Sequence, residues 1–90
     1  MKKYVIERQI PGVGKLTPQQ LADVTATSSA ATAKLSPRLQ WVESFITPDK
    51  TFCVYLAEDE TLIHEHAKLS GFPANRINEV GVVIDPTTGS

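Results

Sequence analysis

The chain is poor in the residues that most chemistry needs. It has one cysteine, two histidines and one tryptophan in 90 residues. A single cysteine, Cys53, cannot form an internal disulfide, and its place in an apolar run suits a reducing cytoplasm. Charge of neither sign dominates: nine Lys and Arg stand against ten Asp and Glu, a net of −1. The cations are scattered and form no basic stripe, which argues against nucleic acid or an anionic membrane as partner. No apolar run approaches the ~20 residues of a spanning helix. The first residues, MKKYVIERQ, carry two lysines with no long apolar region behind them, so they read as a strand and not a signal peptide. Gly12-Val13-Gly14-Lys15 lacks the full glycine spacing and the following Ser or Thr of a phosphate loop. It reads as a mobile turn. What these absences leave is one small cytoplasmic domain spanning residues 1–90, able to bury a core but not a generous one.

The most ordered stretch of what is present is Thr51 to Pro73. Phe52, Cys53, Val54, Tyr55 and Leu56 are consecutive apolar residues, the pattern of a strand covered on both faces. Glu58, Asp59 and Glu60 follow, suited to the positive start of a helix. Gly71, Phe72 and Pro73 stop that helix after Ser70. It contains both histidines. At 3.6 residues per turn, His64 and His66 point about 160° apart and cannot share one metal ion. His66 sits in an apolar arc with Leu62, Ile63 and Leu69, whereas His64 shares a solvated side with Glu65 and Lys68. His66 is therefore either a core histidine with a hydrogen-bond partner or a ligand to something, while His64 reads as an exposed helix residue.

Elsewhere the signals are conventional. Lys3 to Ile10 is a strand, with Tyr4, Ile6, Arg8 and Ile10 on one face and Val5, Glu7 and Gln9 on the other. The two sets are too alike to say which faces inward. Thr17, Pro18 and Gln20 form a capping box with Pro at its first helical position. The helix that follows has Leu21, Val24, Ser28, Ala31 and Leu35 in its inward stripe, and Ser36-Pro37 ends it. Strands at 39–46 and 51–57 flank Thr47-Pro48-Asp49-Lys50, a turn that implies an antiparallel hairpin. A last strand covers 77–84, and the polar tail 86–90 frays. Helices are expected at 17–34 and 59–70.

This order, βαββαβ, predicts an α+β ferredoxin-like sandwich: a four-stranded antiparallel sheet with two helices on one face. The more aliphatic residues, Phe52, Val54, Leu56, Val42, Ile46, Val80, Val82 and Ile84, are assigned to the helix side. The opposite face then holds Trp41, Glu43, Phe45, Cys53, Tyr55, Glu79 and Val83, with Glu7 as a further candidate. Such an apolar face with inset carboxylates needs a cover, most simply a second copy. The expected interface is Trp41, Phe45, Tyr55 and Val83, giving a dimeric α+β barrel.

Several segments together resemble a family of small bacterial proteins, the domain-of-unknown-function family 4242. They are Glu7-Arg8, Pro11-Gly12, Trp41, Cys53 to Ala57, Glu65-His66-Ala67, Gly71-Phe72-Pro73 and Val83 to Pro86. The resemblance spans nearly the whole chain, in order and spacing more than in any one motif. The family usually opens its second helix with Ala-Pro-Asp, where this chain has Ala57-Glu58-Asp59. At least one relative is a nickel-responsive, nickel-binding dimer with a ferredoxin-like fold. The resemblance therefore implies that fold, a homodimer and nickel(II), but assigns no ligand to a position. The residues offer His66, Cys53, Glu7, Glu43 and Glu79 as donors, none in a metal-binding spacing. Three functions stay open. One is a non-catalytic nickel-binding or nickel-responsive protein. Another is an α+β-barrel enzyme of the cyclase or cofactor-free oxygenase type. Its small apolar substrate would sit in a helix–sheet cleft near His66, Tyr4, Trp41 and Tyr55, with His66, Tyr4 or Glu7 as acid–base group. The last is a protein-interaction module that uses the sheet face.

Overall fold

The computed structural model describes residues 1–89. Its strands are β1 (Lys2–Gln9), β2 (Leu39–Ile46), β3 (Lys50–Ala57) and β4 (Arg76–Glu79), and its helices are α1 (Pro18–Leu35) and α2 (Glu60–Ser70). They form one sheet in the order β2-β3-β1-β4, every neighbouring pair antiparallel. Both helices pack on one face, as the ferredoxin-like pattern requires. No helix among the described residues is long and apolar enough to cross a membrane.

The local causes are plain. Thr17 accepts a hydrogen bond from the Gln20 backbone N–H, and the Gln20 side chain accepts one from Thr17, so two free donors at the start of α1 are satisfied. Asp59, and not the first helical residue, caps α2 through Thr61 N–H. Gly71 ends α2 at φ 78°, in the left-handed region. The core gathers Tyr4, Ile6, Leu39, Cys53, Tyr55 and Ala57 from the sheet against Leu62 and Ile63 of α2.

That core reverses the expected faces. Cys53 and Tyr55 point to the helices, and Phe52, Val54 and Leu56 point away, half-buried. The inward set mixes the small Thr51, Cys53 and Ala57 with the large Tyr55, and this is the face on which the Tyr55 hydroxyl finds a partner, accepting from Arg8. Alternation decided which residues travel together, but their hydrophobicity did not decide which set is covered. In β1 the inward set is Tyr4, Ile6 and Arg8.

Further expectations change. A β-bulge between Trp41 and Glu43 leaves Trp41 paired with Tyr55 on the inner face, not the outer, while Glu43 and Phe45 lie outside as expected. Val42 is exposed and not on the helix side. The fourth strand stops at Glu79, which pairs with Tyr4, and Val80 still donates to Lys3 O at 2.8 Å. Val82, Val83 and Ile84 lie beyond that ladder and are 78%, 65% and 72% exposed. Finally, the glycine turn is docked. Gly12 N–H donates to Asp49 Oδ1 at 2.9 Å, Gly14 N–H donates to Pro48 O at 3.0 Å, and Val13 is buried. Of the tail, Pro86 to Gly89 forms a turn tied to Asp85 by Thr87 and Thr88, while Ser90 lies outside the described residues.

Candidate ligand cleft

A cleft of roughly 310 Å³ opens between α1 and the inner face of the sheet. The sequence of α1 makes room for it. Thr25 and Ser28 are short where α1 crosses the sheet, and Leu21 and Val24 wall one side. Val13, carried in by the docked 3-10 turn (Val13–Lys15), closes one end. Trp41 and Tyr55 form part of the floor, and Trp41 is fixed by donation from its Nε1–H to Ser44 Oγ at 2.9 Å.

Arg8 is the unusual lining residue. It is 1% exposed, the largest side chain among those fully buried. Its Nη1 donates to Pro73 O at 2.7 Å and its Nη2 to Tyr55 Oη at 3.2 Å, and its centre lies 5.9 Å from the Tyr55 ring centroid. Its Nε–H has no partner. Both partners are neutral. Among the described residues no carboxylate oxygen comes within 4.0 Å of the guanidinium. Burial raises the Tyr55 pKa, against the lowering influence of Arg8, so the phenol keeps its proton at neutral pH.

His66 lies one layer behind this floor. Its ring centroid is 5.0 Å from that of Tyr55, tilted by 58°, and its Nε2 is 3.4 Å from Ser28 Oγ. Nδ1 has no partner. Burial lowers its pKa first and the Arg8 charge second, with Ser28 opposing them, so the imidazole is neutral at pH 7. Cys53 is buried in the cleft wall, its Sγ 3.5 Å from Thr51 Oγ1. His64 is exposed, its Nε2 3.2 Å from Glu60 Oε2 one turn earlier.

The expected site residues are thus split. Of the cleft set, Trp41 and Tyr55 line the cavity, His66 backs it, and Tyr4 lies in the core beside it. Of the metal set, His66 and Cys53 are inside. Glu7 and Glu43 are on the outer face, with Glu7 Oε2 3.5 Å from Lys50 Nζ. Glu79 is at the sheet edge, 3.5 Å from Lys2 Nζ. Among the described residues no three His, Cys, Asp or Glu side chains stand together as a metal site. Of the interface set, Trp41 and Tyr55 face the helices and cannot meet a partner across the outer face. Phe45 is on that face, and Val83 is on the exposed segment after β4. Sequence reasoning did not single out Arg8. The signal was present, because Arg8 falls in phase with Tyr4 and Ile6.

Comparison with known proteins fits this architecture. A family profile described as "nickel responsive protein SCO4226-like" matches residues 4–80. The crystal structure of SCO4226 from Streptomyces coelicolor A3(2) superposes with a TM-score of 0.75, covering 91% of this chain and 99% of that one at 14% identity. That likeness shows the fold. No curated protein matches the sequence.

Proposed function

The chain belongs to the nickel responsive SCO4226-like family, and on that footing we propose that it is a small cytoplasmic nickel-binding protein without catalysis, acting as a homodimer whose metal is held between copies. The observation that carries this reading is the outer face of the sheet. Val5, Phe52, Val54 and Leu56 lie there only half-buried, Phe45 is exposed, and Glu7 and Glu43 are set among them. Apolar area of this kind is stabilised by a self-complementary partner across a two-fold axis. The exposed Val82, Val83 and Ile84 extend it beyond the end of β1. Two copies also double the donors available at any point on the axis, which answers the shortage in one chain. Carboxylate oxygens from Glu7 and Glu43 are the donors this face offers, and the imidazoles lie elsewhere.

The test is titration calorimetry with Ni²⁺ on metal-stripped protein, run beside sedimentation. A saturable stoichiometry set by the dimer is expected, with loss of affinity in Glu7→Gln or Glu43→Gln and an unchanged fold. A monomer that binds one nickel per chain would defeat the reading. A monomer that binds none, with its outer face open, would point to an interaction module instead.

A further inference from the structure

We propose that the cleft between α1 and the inner sheet face binds a small amphipathic monocarboxylate, with its carboxylate on Arg8 and its apolar body along Leu21, Val24 and Trp41. The inference is independent of the nickel reading, because it concerns the opposite face of the sheet.

Four observations converge on this ligand. The first is an uncompensated charge. A lysine in this position would shed its proton, but a guanidinium does not. Arg8 is 1% exposed and its partners are the Pro73 carbonyl and the Tyr55 hydroxyl, both neutral. A buried cation of this kind is stabilised by an anion that enters with a ligand. The second is donor capacity. Two of the five guanidinium N–H groups are used, which leaves three, and the unpartnered Nε–H is one of them. A planar carboxylate matches two such donors at once. Tyr55 accepts from Arg8, so its own O–H proton is available to a second carboxylate oxygen.

The third is the nature of the walls. Ile10, Val13, Leu16, Leu21, Val24 and Trp41 make them mostly apolar, and the hydroxyls set between them, of Thr25, Ser28, Ser44 and Thr51, are neutral. Inorganic phosphate would leave the apolar part bare, and a dianion would find only one cation. A single negative charge on an apolar body suits both ends of the cleft. The fourth is size. At a liquid share of ~30 Å³ per small group, the cavity takes about ten non-hydrogen atoms. Octanoate and 3-phenylpropanoate are of this size. Inward strand residues could instead use Arg8 only as a strut, tying Pro73 after α2 to the sheet. A strut needs no ligand and gives no preference between an acid and an alcohol.

The experiment compares octanoate with octan-1-ol, titrated at pH 7.5 into the metal-stripped protein. Fluorescence of Trp41, the only tryptophan, reports occupancy of the cleft. Octanoate is expected to bind one per chain, at least about tenfold more tightly than octanol, with no competition from inorganic phosphate. Arg8→Met should erase that preference. Val24→Trp leaves Arg8 in place and fills the cavity, so it should weaken octanoate by about tenfold or more, read by titration calorimetry because this variant carries a second indole. Equal affinities for acid and alcohol in the unaltered protein would overturn the proposal, as would the absence of saturable octanoate binding. Undiminished octanoate binding in Val24→Trp would also overturn it, because the ligand would then sit elsewhere. If Arg8→Met fails to fold, the acid–alcohol ratio and Val24→Trp still decide.

Discussion

The two faces of the sheet differ in what they hide. The covered face is an apolar core, with Tyr4, Ile6, Leu39 and Ala57, into which a guanidinium, a phenol and a thiol are set, in Arg8, Tyr55 and Cys53, with the His66 imidazole of α2 against them. The open face mixes Val5, Phe52, Val54 and Leu56, half-buried, and the exposed Phe45 with the charged Lys3, Glu7 and Glu43. Burial of apolar surface is favourable wherever it occurs, which is why the proposed homodimer is assigned to this face. Conversely, polar groups kept under two helices are tolerated only where they hydrogen-bond or serve a ligand. The difference separates the face to which the proposed association is assigned from the face to which the proposed ligand is assigned.

Substitutions can break or sharpen this contrast. The largest effect belongs to the covered face. Ile6→Ala, at 0% exposure, should cost about 2–5 kcal/mol in urea denaturation. Val54→Ala should cost well under half of that at protein concentrations too low for association, and equal losses would break the contrast. Next is Gly14→Ala. A Cβ there would stand 2.7 Å from Pro48 Cα, so the turn must lift off the hairpin, at about 1–3 kcal/mol. The docked turn supports the end of the cleft, and octanoate binding should weaken in step with stability.

A pH effect comes third. The His66 pKa is lowered in the folded state, so the unfolded chain takes up the proton more readily. Stability from the neutral imidazole is therefore fully present above about pH 6.5 and is lost as pH falls below that value. Chemical denaturation at stepped pH should show this slope, and His66→Gln should flatten it. Fourth, Val54→Lys should leave the folded protomer within about 0.5 kcal/mol of its stability and abolish the dimer in sedimentation. A dimer that survives Val54→Lys would move the interface off this face. The smallest effect is His64→Ala, on the exposed side of α2. Its contact with Glu60 is solvated, so stability should change by less than about 0.5 kcal/mol, with nickel affinity unaltered.

Element order and helix ends were legible because their signals are local. The Thr17 capping box, Gly71 and the Thr47 to Lys50 turn each act within about four residues. The orientation of the sheet was not legible, because it shows itself in contacts between distant residues: Arg8 of β1 reaches Tyr55 of β3 and Pro73 after α2, and Tyr55 meets the His66 ring. The end of β4 was not legible either: Val80, Val82 and Ile84 alternate like a strand, but the ladder with β1 ends at the Glu79–Tyr4 pair, which is a contact between distant segments. The cleft was half legible. Trp41 and Tyr55 were expected in it and line it, whereas Arg8 was passed over because a charged residue in an alternating strand is ordinarily a solvated one.

The bulge in β2 acts on that strand as a one-residue insertion acts on a reading frame. Before it, odd-numbered Leu39 and Trp41 face the helices; after it, even-numbered Ser44 and Ile46 do. With Val42 paired in regular alternation, Glu43 would stand opposite Cys53 on the inner face, in the same compartment as Arg8, and Ser44 would turn outward. The extra residue at the bulge thus keeps a resident carboxylate out of reach of the guanidinium. Deletion of Val42 would take away the bulge and still leave Glu43 opposite Val54, whereas pairing Val42 into the ladder would bring the carboxylate in.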